Sequence, residues 1–166
     1  MKAASDAVSV DEYKTAMRHV VSPVAVVTYP HRKSWEGMTV TAICSATTEP
    51  PTLVVCIRND KPAAERIRQA GVFAVNFLSD EQADIARRFS STPLDDRGAF
   101  DRGEWTQGQN GAPLLGGAVS QFECVVAQAF EQGSHLVFLG SVVGLRIAPG
   151  ANLLYRDGFF RRLISE

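Results

Sequence analysis

Hydroxyl side chains recur at alternate positions of one stretch, residues 37–51, which reads GMTVTAICSATTEPP. Successive side chains of a β-strand point to opposite faces, so one continuous strand here would present two different surfaces. The first surface is entirely apolar, with Met38, Val40, Ala42, Cys44 and Ala46. The second surface is mostly hydroxylated, with Thr39, Thr41, Ile43, Ser45 and Thr47. We expect the apolar surface to face the core, which leaves the hydroxyl surface as a candidate binding face.

The small side chains of this stretch would let a flat ligand approach the backbone. Its N–H groups and hydroxyls could then bond the edge of a heteroaromatic ring and a phosphate. A purely structural interpretation also fits, because threonine is a good strand former and a solvated face of threonines needs no ligand. The spacing alone leaves both interpretations open.

Several common chemistries lack their sequence signature. No G-x-G-x-x-G follows a predicted strand, and neither a Walker A motif nor a G-x-S-x-G elbow is present. The three histidines are far apart in sequence, and the three cysteines include no C-x-x-C pair. We therefore expect no metal site, no Rossmann dinucleotide fold and no hydrolase triad, and we expect the cysteines to be free thiols.

The composition sets further limits. The chain has 166 residues, with 17 basic and 18 acidic side chains and a formal net charge of −1. This near balance gives no electrostatic reason to expect nucleic acid or a membrane as a partner. No stretch resembles a signal peptide or a membrane span. We expect one domain over residues 1–166 and a cytoplasmic location.

The elements that would position the hydroxyl stretch are mainly strands. Apolar and β-branched runs predict strands at residues 24–29, 37–48, 52–57, 72–78, 119–130, 136–147, 153–155 and 159–163. Helical spacing predicts helices at residues 10–20, at 60–70 with Asp60 as the cap and Gly71 as the stop, and at 80–89 with a capping box from Ser79 to Gln82. Residues 90–117 are predicted to be a long, functional loop. Hairpins with few helices indicate a mainly antiparallel sheet, closed as a barrel.

Taken in order, several short segments resemble the short-chain flavin reductases. These are the reductase components of two-component flavin monooxygenases, and they fold as an FMN-binding split barrel. The resembling segments are residues 24–28, GMTVTA from 37 with PP at 50–51, FAVNFL from 73, ARRF from 86, PL at 113–114, FEC from 122, GSH from 133, FLG from 138 and LYRDG from 154. The set covers nearly the whole chain.

The resemblance implies a mainly β fold with peripheral helices, arranged as a split β-barrel. It also implies an NAD(P)H:flavin oxidoreductase that transfers a hydride from NADH, or alternatively NADPH, to FMN or FAD. Reduced flavin would then supply a partner monooxygenase, and the chain would form a homodimer. The alternatives are a non-catalytic flavin-binding module and a related split-barrel oxidase or F420-dependent reductase.

The resemblance also implies which residues form the site. Four residues would border the isoalloxazine: Thr39, Val40, Thr41 and Ala42. Three would approach the ribityl phosphate: Ser45, Ala46 and Thr47. Further cofactor contacts would come from Lys61, Asn76, Phe77 and Arg88. His135 would contact the nicotinamide nucleotide, although Ser134 stands where the family usually has an aspartate.

Overall fold

The chain folds as a mainly antiparallel β structure, described for residues 8–91 and 97–163 of a computed structural model. Its helices are α1 (Val10–Arg18), α2 (Pro62–Ala70), α3 (Ala83–Ser91) and a short 3₁₀ helix (Arg97–Asp101). Its strands are β1 (Ser22–Pro23), β2 (Ala25–His31), β3 (Ser34–Val40), β4 (Ile43–Thr48), β5 (Pro51–Arg58), β6 (Val72–Phe77), β7 (Trp105–Gln107), β8 (Pro113–Leu115), β9 (Ser120–Gln132), β10 (His135–Ile147), β11 (Leu154–Arg156) and β12 (Phe159–Arg161). None of the described helices is long and apolar enough to cross a membrane.

Seven strands form the main sheet in the order β3-β2-β6-β9-β10-β5-β4, and all its neighbours are antiparallel. β3 and β4 are the two edges, and they do not pair with each other. The sheet is therefore open along one side, which confirms the predicted split β-barrel and corrects the expectation of a closed one. Strands β1, β11 and β12 form a second sheet, and β7 pairs with β8.

Central strands of the main sheet separate two apolar cores. Along β2, Val27 and Tyr29 pack into the core that also holds Phe73 and Phe138. Val26 points the other way, into the core under α3. Strands that are covered on both faces are continuously apolar, and this explains the uninterrupted apolar run at the start of β2.

Helix boundaries follow the predicted signals with some differences, the first being that α1 ends at Arg18 and not at residue 20. α2 ends at Gly71, whose φ of 68° is the left-handed conformation that favours glycine. Its N-cap is Lys61, not the predicted Asp60. α3 begins at Ala83, three residues later than predicted, because Ser79 and Gln82 close a turn before it. Gln82 Oε1 accepts from the Ser79 N–H at 3.1 Å, so half of the predicted capping box is present.

The predicted long loop contains structure of its own. Beyond residues 92–96, which lie outside the description, it holds the 3₁₀ helix and the β7–β8 hairpin. The two late hairpins are confirmed, with turns at residues 133–134 and 157–158. Asp157 and Gly158 both have positive φ, as the tight Asp-Gly turn requires.

Candidate functional site

The predicted hydroxyl strand is in fact two strands, joined by a corner at Thr41 and Ala42. β3 ends at Val40, β4 begins at Ile43, and these strands lie at opposite edges of the main sheet. The Ile43 N–H donates to the Thr41 carbonyl at 3.0 Å, which makes a three-residue turn centred on Ala42. The Ala42 carbonyl accepts from the Cys56 N–H at 2.9 Å. The corner thus carries the chain across the open side of the barrel, and the prediction of one continuous strand is wrong.

The corner also changes which side chains face the core. Val40 is buried as predicted, whereas Ala42, Cys44 and Ala46 are exposed, so the predicted apolar face is wrong beyond the corner. The physical reason is that β4 is an edge strand whose residues from Cys44 onward are all exposed. Its pairing with β5 also skips Ala46, and such a bulge resets the alternation of faces.

The hydroxyls of this stretch differ in their partners. Thr39 donates to the Ala86 carbonyl at 2.7 Å, so its side chain joins β3 to α3. Thr47 bonds to the backbone of its own turn. The half-buried Thr41 and the exposed Ser45 make no side-chain hydrogen bond within the described part of the chain. These two hydroxyls, one on each side of Ala42, are therefore available to a ligand, as is that of the exposed Thr48 at the end of β4.

The turn between β9 and β10 is held against the loop that follows β5. The Asn59 N–H donates to the Ser134 carbonyl at 3.0 Å, and the Asn59 side-chain amide donates to the Gly133 carbonyl at 3.2 Å. His135 is half-buried, and its Nδ1 lies 3.0 Å from the Ser134 hydroxyl. Ser134 therefore provides a hydrogen-bond partner for the histidine.

His135 and the corner lie at the same end of the β4–β5–β10 part of the sheet. On one side of β5, the Cys56 N–H donates to the Ala42 carbonyl. On the other side, Cys56 pairs with Val137 of β10. His135 pairs with Arg58, two residues further toward the same end. The side chains of His135 and Cys56 alternate with buried residues, so both point to the face of the sheet away from the core.

Charges near this end come from the loop before α2. Arg58 and Asp60 form an exposed ion pair at 2.6 Å. Hydrogen bonding from the Arg58 guanidinium lowers the pKa of the Asp60 carboxyl. This pairing explains why Asp60 does not cap α2. Lys61 is exposed and has no carboxylate within ion-pair distance among the described residues, so its charge is free for an anionic ligand.

A buried ion pair fixes α2 and, with it, the Lys61 loop. Arg66 on α2 donates to both carboxylate oxygens of Glu36 on β3, at 2.9 and 2.8 Å. The Glu36 side chain is only 5% exposed. Burial, together with the neighbouring Glu36 carboxylate, raises the pKa of Tyr29 far above its usual range. Because removing one partner of a buried pair leaves an uncompensated charge, this contact holds the helix firmly in place.

Two cysteines that the sequence left as ordinary thiols also lie here. Cys44 is exposed on β4, and Cys56 is half-buried on β5. Burial raises the pKa of the Cys56 thiol, and the nearby Cys44 adds to that shift. Neither residue has a motif that could have indicated this position. Only the pairing of β4 with β5 brings the two together.

Asn76, a predicted cofactor contact, lies inside the protein. It is fully buried, and its amide donates to the Val26 carbonyl and the Thr28 hydroxyl, both at 3.2 Å. Its carbonyl oxygen accepts from the Leu115 N–H at 2.9 Å. These bonds join β2, β6 and β8, so the side chain serves the frame of the fold and is not exposed to a ligand.

Phe77 and Arg88, also predicted contacts, are committed to neighbouring elements too. The half-buried Phe77 packs edge-to-face against Phe122, with ring centroids 5.9 Å apart. Arg88 donates to the Gly98 carbonyl, and its buried Nε has no hydrogen-bond partner among the described residues. The corner, Lys61 and His135 therefore form the accessible part of the predicted site.

This accessible part fits a flat, anionic cofactor. Small side chains at Ala42 and Ala46 leave the backbone of the edge strand uncovered, while the free hydroxyls of Thr41 and Ser45 supply directional hydrogen bonds. Lys61 supplies a positive charge that no carboxylate in the described part of the chain pairs with. These are the groups that the edge of a heteroaromatic ring and a phosphate require.

Comparison with known proteins identifies the family of this chain. The sequence model described as flavin reductase like domain matches residues 17–163. The chain is 36% identical over 149 residues to an FMN reductase (NADH) RutF of Ancylobacter novellus, covering 89% of this chain and 81% of that protein. It is 32% identical over 155 residues to the 4-hydroxyphenylacetate 3-monooxygenase reductase component of Pseudomonas aeruginosa, covering 91% of this chain and 90% of that protein.

A solved structure is similar over nearly the same length. The Streptomyces globisporus NADH:FAD oxidoreductase SgcE6, in complex with NAD and FAD fragments, superposes with a TM-score of 0.85 and 31% identity. The match covers 93% of this chain and 92% of that one. The resemblance read from the sequence segments, the split-barrel fold and the flavin reductase class are all confirmed. This chain is a member of the flavin reductase family.

Proposed function

We propose that this flavin reductase binds its flavin against the Thr41–Ala42 corner, oxidises NADH and releases reduced flavin to a separate monooxygenase. The observation that carries the proposal is the convergence of the corner, the Lys61 loop and the His135 turn at one end of the main sheet. The relatives named for NADH and for a monooxygenase component support the same reaction.

Each residue of this end has a distinct part in the proposed reaction. Thr41 and Ser45 bond the polar edge of the ring, and Lys61 attracts the phosphate. His135 bonds the nicotinamide nucleotide from the neighbouring turn, in an orientation fixed by Ser134 and Asn59. Bound flavin supplies the acceptor chemistry for the hydride. The protein's contribution is position and exclusion of water, so no acid–base pair is needed.

We propose FMN as the preferred flavin, with FAD accepted less well. Lys61 is the only lysine or arginine at this end that is exposed without a carboxylate partner among the described residues, and one cation suits one phosphate. The relatives named as FMN reductases support FMN, whereas the SgcE6 protein is named for FAD.

The experiment is to follow NADH absorbance with purified protein, first without flavin and then with FMN or FAD over a range of concentrations. We expect oxidation that requires added flavin, saturates in it, and has a higher kcat/KM with FMN. No turnover with either flavin, using NADH and then NADPH, would contradict the proposal and favour a flavin-binding module or an F420-dependent enzyme. A higher kcat/KM with FAD would contradict only the flavin preference.

We also propose that the protein is a homodimer, because large apolar side chains are exposed together. On β10, Leu145 and Ile147 share one face and are 58% and 80% exposed, and Val143, which a bulge leaves unpaired in the register, is 59% exposed. Helix α1 has an apolar stripe with Tyr13 and Met17 but buries none of its residues. A nine-residue helix is marginal without packing. A second copy of the chain would cover both surfaces.

Sedimentation at several concentrations tests the dimer. We expect the native chain to sediment as a dimer and Leu145→Glu to sediment as a folded monomer. Arg146→Ala, on the opposite face of the same strand, is the matched control and should remain a dimer. A monomeric native chain would contradict the proposal.

The three free cysteines are consistent with a reducing compartment, and we propose the cytoplasm as the location of the protein.

A further inference from the structure

A second cleft lies at the opposite end of β3 from the corner. Its volume is about 510 Å³, and it is bounded by the tip of the β2–β3 hairpin, the 3₁₀ helix and the β7–β8 hairpin. Ligand sites in proteins typically measure roughly 300–1,000 Å³. The six residue steps from Ser34 to Val40 span about 20 Å in a strand. This cleft is therefore separate from the proposed flavin site.

Two positively charged side chains line the cleft. Arg32 and Lys33 form the two-residue tip of the hairpin, since His31 pairs with Ser34. Both cations line the cleft, and no aspartate or glutamate among the described residues does. Neither forms an ion pair within residues 8–91 and 97–163. Two uncompensated positive charges at the mouth of a cleft favour an anionic ligand.

The conformation of Arg32 is unusual for this position. Its φ is 54°, in the left-handed region that glycine and asparagine adopt more readily. A turn that needed only tight geometry would favour one of those residues. Arg32 places a guanidinium at the hairpin tip although its left-handed φ is unfavourable for an arginine. Unfavourable backbone conformations of this kind concentrate at ligand sites.

The lining of the cleft also includes two aromatic side chains that are held in place. These are Trp35 and Phe100, which pack edge-to-face with ring centroids 5.9 Å apart. Phe100 also packs against Phe89 and Trp105, at 5.1 and 4.9 Å. The half-buried Trp35 has no hydrogen bond from its indole N–H within the described chain, and neither has the Gln107 amide beside it. These residues thus offer ring faces together with two neutral donors.

We propose that this cleft binds a flat aromatic anion. The ring packs against Trp35 and Phe100, and the carboxylate or phosphate lies between Arg32 and Lys33, where bonds from guanidinium to carboxylate or phosphate are strong and directional. A free aromatic acid and a mononucleotide both have this chemistry. Binding here does not depend on the proposed reductase reaction, so it can be measured without turnover.

The test is calorimetric titration of the native chain with 2-naphthoate, with the neutral 2-naphthamide and with AMP. We expect saturable binding of 2-naphthoate, AMP or both, and weaker binding of the uncharged amide. The double variant Arg32→Gln, Lys33→Gln should bind the anion at least tenfold more weakly. Each hydrogen bond to a charged group contributes a factor of about ten or more to affinity. Both substituted side chains are exposed, so the fold should be unaffected.

The matched control is Arg156→Gln, another exposed arginine far along the chain, which should leave anion binding unchanged. Flavin-dependent NADH oxidation by the double variant should equal that of the native chain. Binding of AMP but not of naphthoate would identify a nucleotide site, and the reverse an aromatic acid site. The proposal is overturned if neither anion binds, if the amide binds equally well, or if the double variant binds as the native chain does.

Discussion

Strands β2 and β4 both carry hydroxyl residues, and they use them in opposite ways. On the central β2, Thr28 is fully buried, and its hydroxyl donates to the Pro113 carbonyl at 2.6 Å and accepts from Asn76. Beside the edge strand β4, the hydroxyls of Thr41 and Ser45 have no such partner in the described chain. A buried polar group must be bonded internally, whereas an edge strand leaves its groups for a ligand. The position of a hydroxyl residue in the sheet, and not its residue type, therefore decides whether it stabilises the fold or is available to a ligand.

The largest expected contrast between the two regions is in thiol reactivity. Burial raises the pKa of Cys124, on the central β9, from 9.0 to about 12. Its thiolate is therefore about a thousandfold scarcer at neutral pH than for an ordinary thiol. We expect iodoacetamide to modify the exposed Cys44 first and Cys124 only after unfolding, as followed by mass spectrometry of the intact protein and its peptides.

The raised pKa of Cys124 also predicts a pH effect on stability. The folded state holds the proton more tightly than the unfolded state does, so this contribution to the free energy of unfolding is complete below pH 9 and is lost as the pH rises toward about 12.

Bound FMN should slow the modification of Cys44 if the flavin lies against β4. Equal modification of Cys44 and Cys124 in the native protein would contradict the contrast.

Asn76→Ala should damage the frame and not the site. The change leaves the Leu115 N–H without a partner and removes the amide that donates to the Thr28 hydroxyl, and we expect the free energy of unfolding to fall by about 3 kcal/mol. Urea denaturation measures it, with the exposed Gln109→Ala as a control that should stay within about 0.5 kcal/mol of the native chain. Unchanged stability together with weakened flavin binding would contradict this prediction and would mean that Asn76 contacts the cofactor.

His135→Ala should act on one substrate only. We expect the KM for NADH to rise roughly tenfold, the size of one hydrogen bond to a charged or strongly polar group, while the KM for flavin changes less than about twofold. Steady-state kinetics with each substrate varied in turn measure both values. His19→Ala, at the exposed end of α1, is the control. Identical kinetics for the variant and the native enzyme would remove His135 from the site.

Lys61→Ala should distinguish flavins by their phosphate. We expect the KM for FMN to rise about fivefold and the KM for riboflavin to stay the same, because an exposed cation contributes roughly 1 kcal/mol to an ionic contact. Arg68→Ala on the same helix is the control, since Arg68 is exposed and paired with Glu65. An equal rise for both flavins would mean that the substitution disturbs the loop and not a phosphate contact.

The smallest effect compares two threonines directly. Thr41→Val should weaken FMN affinity about threefold and leave unfolding unchanged, while Thr28→Val should cost about 2 kcal/mol of stability and leave affinity unchanged. Quenching of flavin fluorescence gives the affinity, and urea denaturation gives the stability. The opposite assignment of effects would show that the edge and central hydroxyls do not divide as the structure indicates.

Much of this fold could be predicted because its signals are local. The glycine that ends α2, the Asp-Gly turn between β11 and β12 and the apolar runs of β2, β5 and β6 each depend on a few neighbouring residues. The prediction of Asp60 as the cap of α2 was wrong although it fits the local pattern, because Arg58, two residues earlier, binds its carboxylate.

Within the site, the residue types indicated a candidate surface, and the ordered segments identified the family. They could not locate the corner, because whether residues 37–48 form one strand or two depends on pairing with β2 and β5 from both sides of the barrel. Nor could they separate Thr41 from Thr28, or Lys61 from Arg88, since burial and partners arise from distant elements. Local chemistry fixed the strands, turns and family; the open barrel decided which hydroxyls and charges face a ligand.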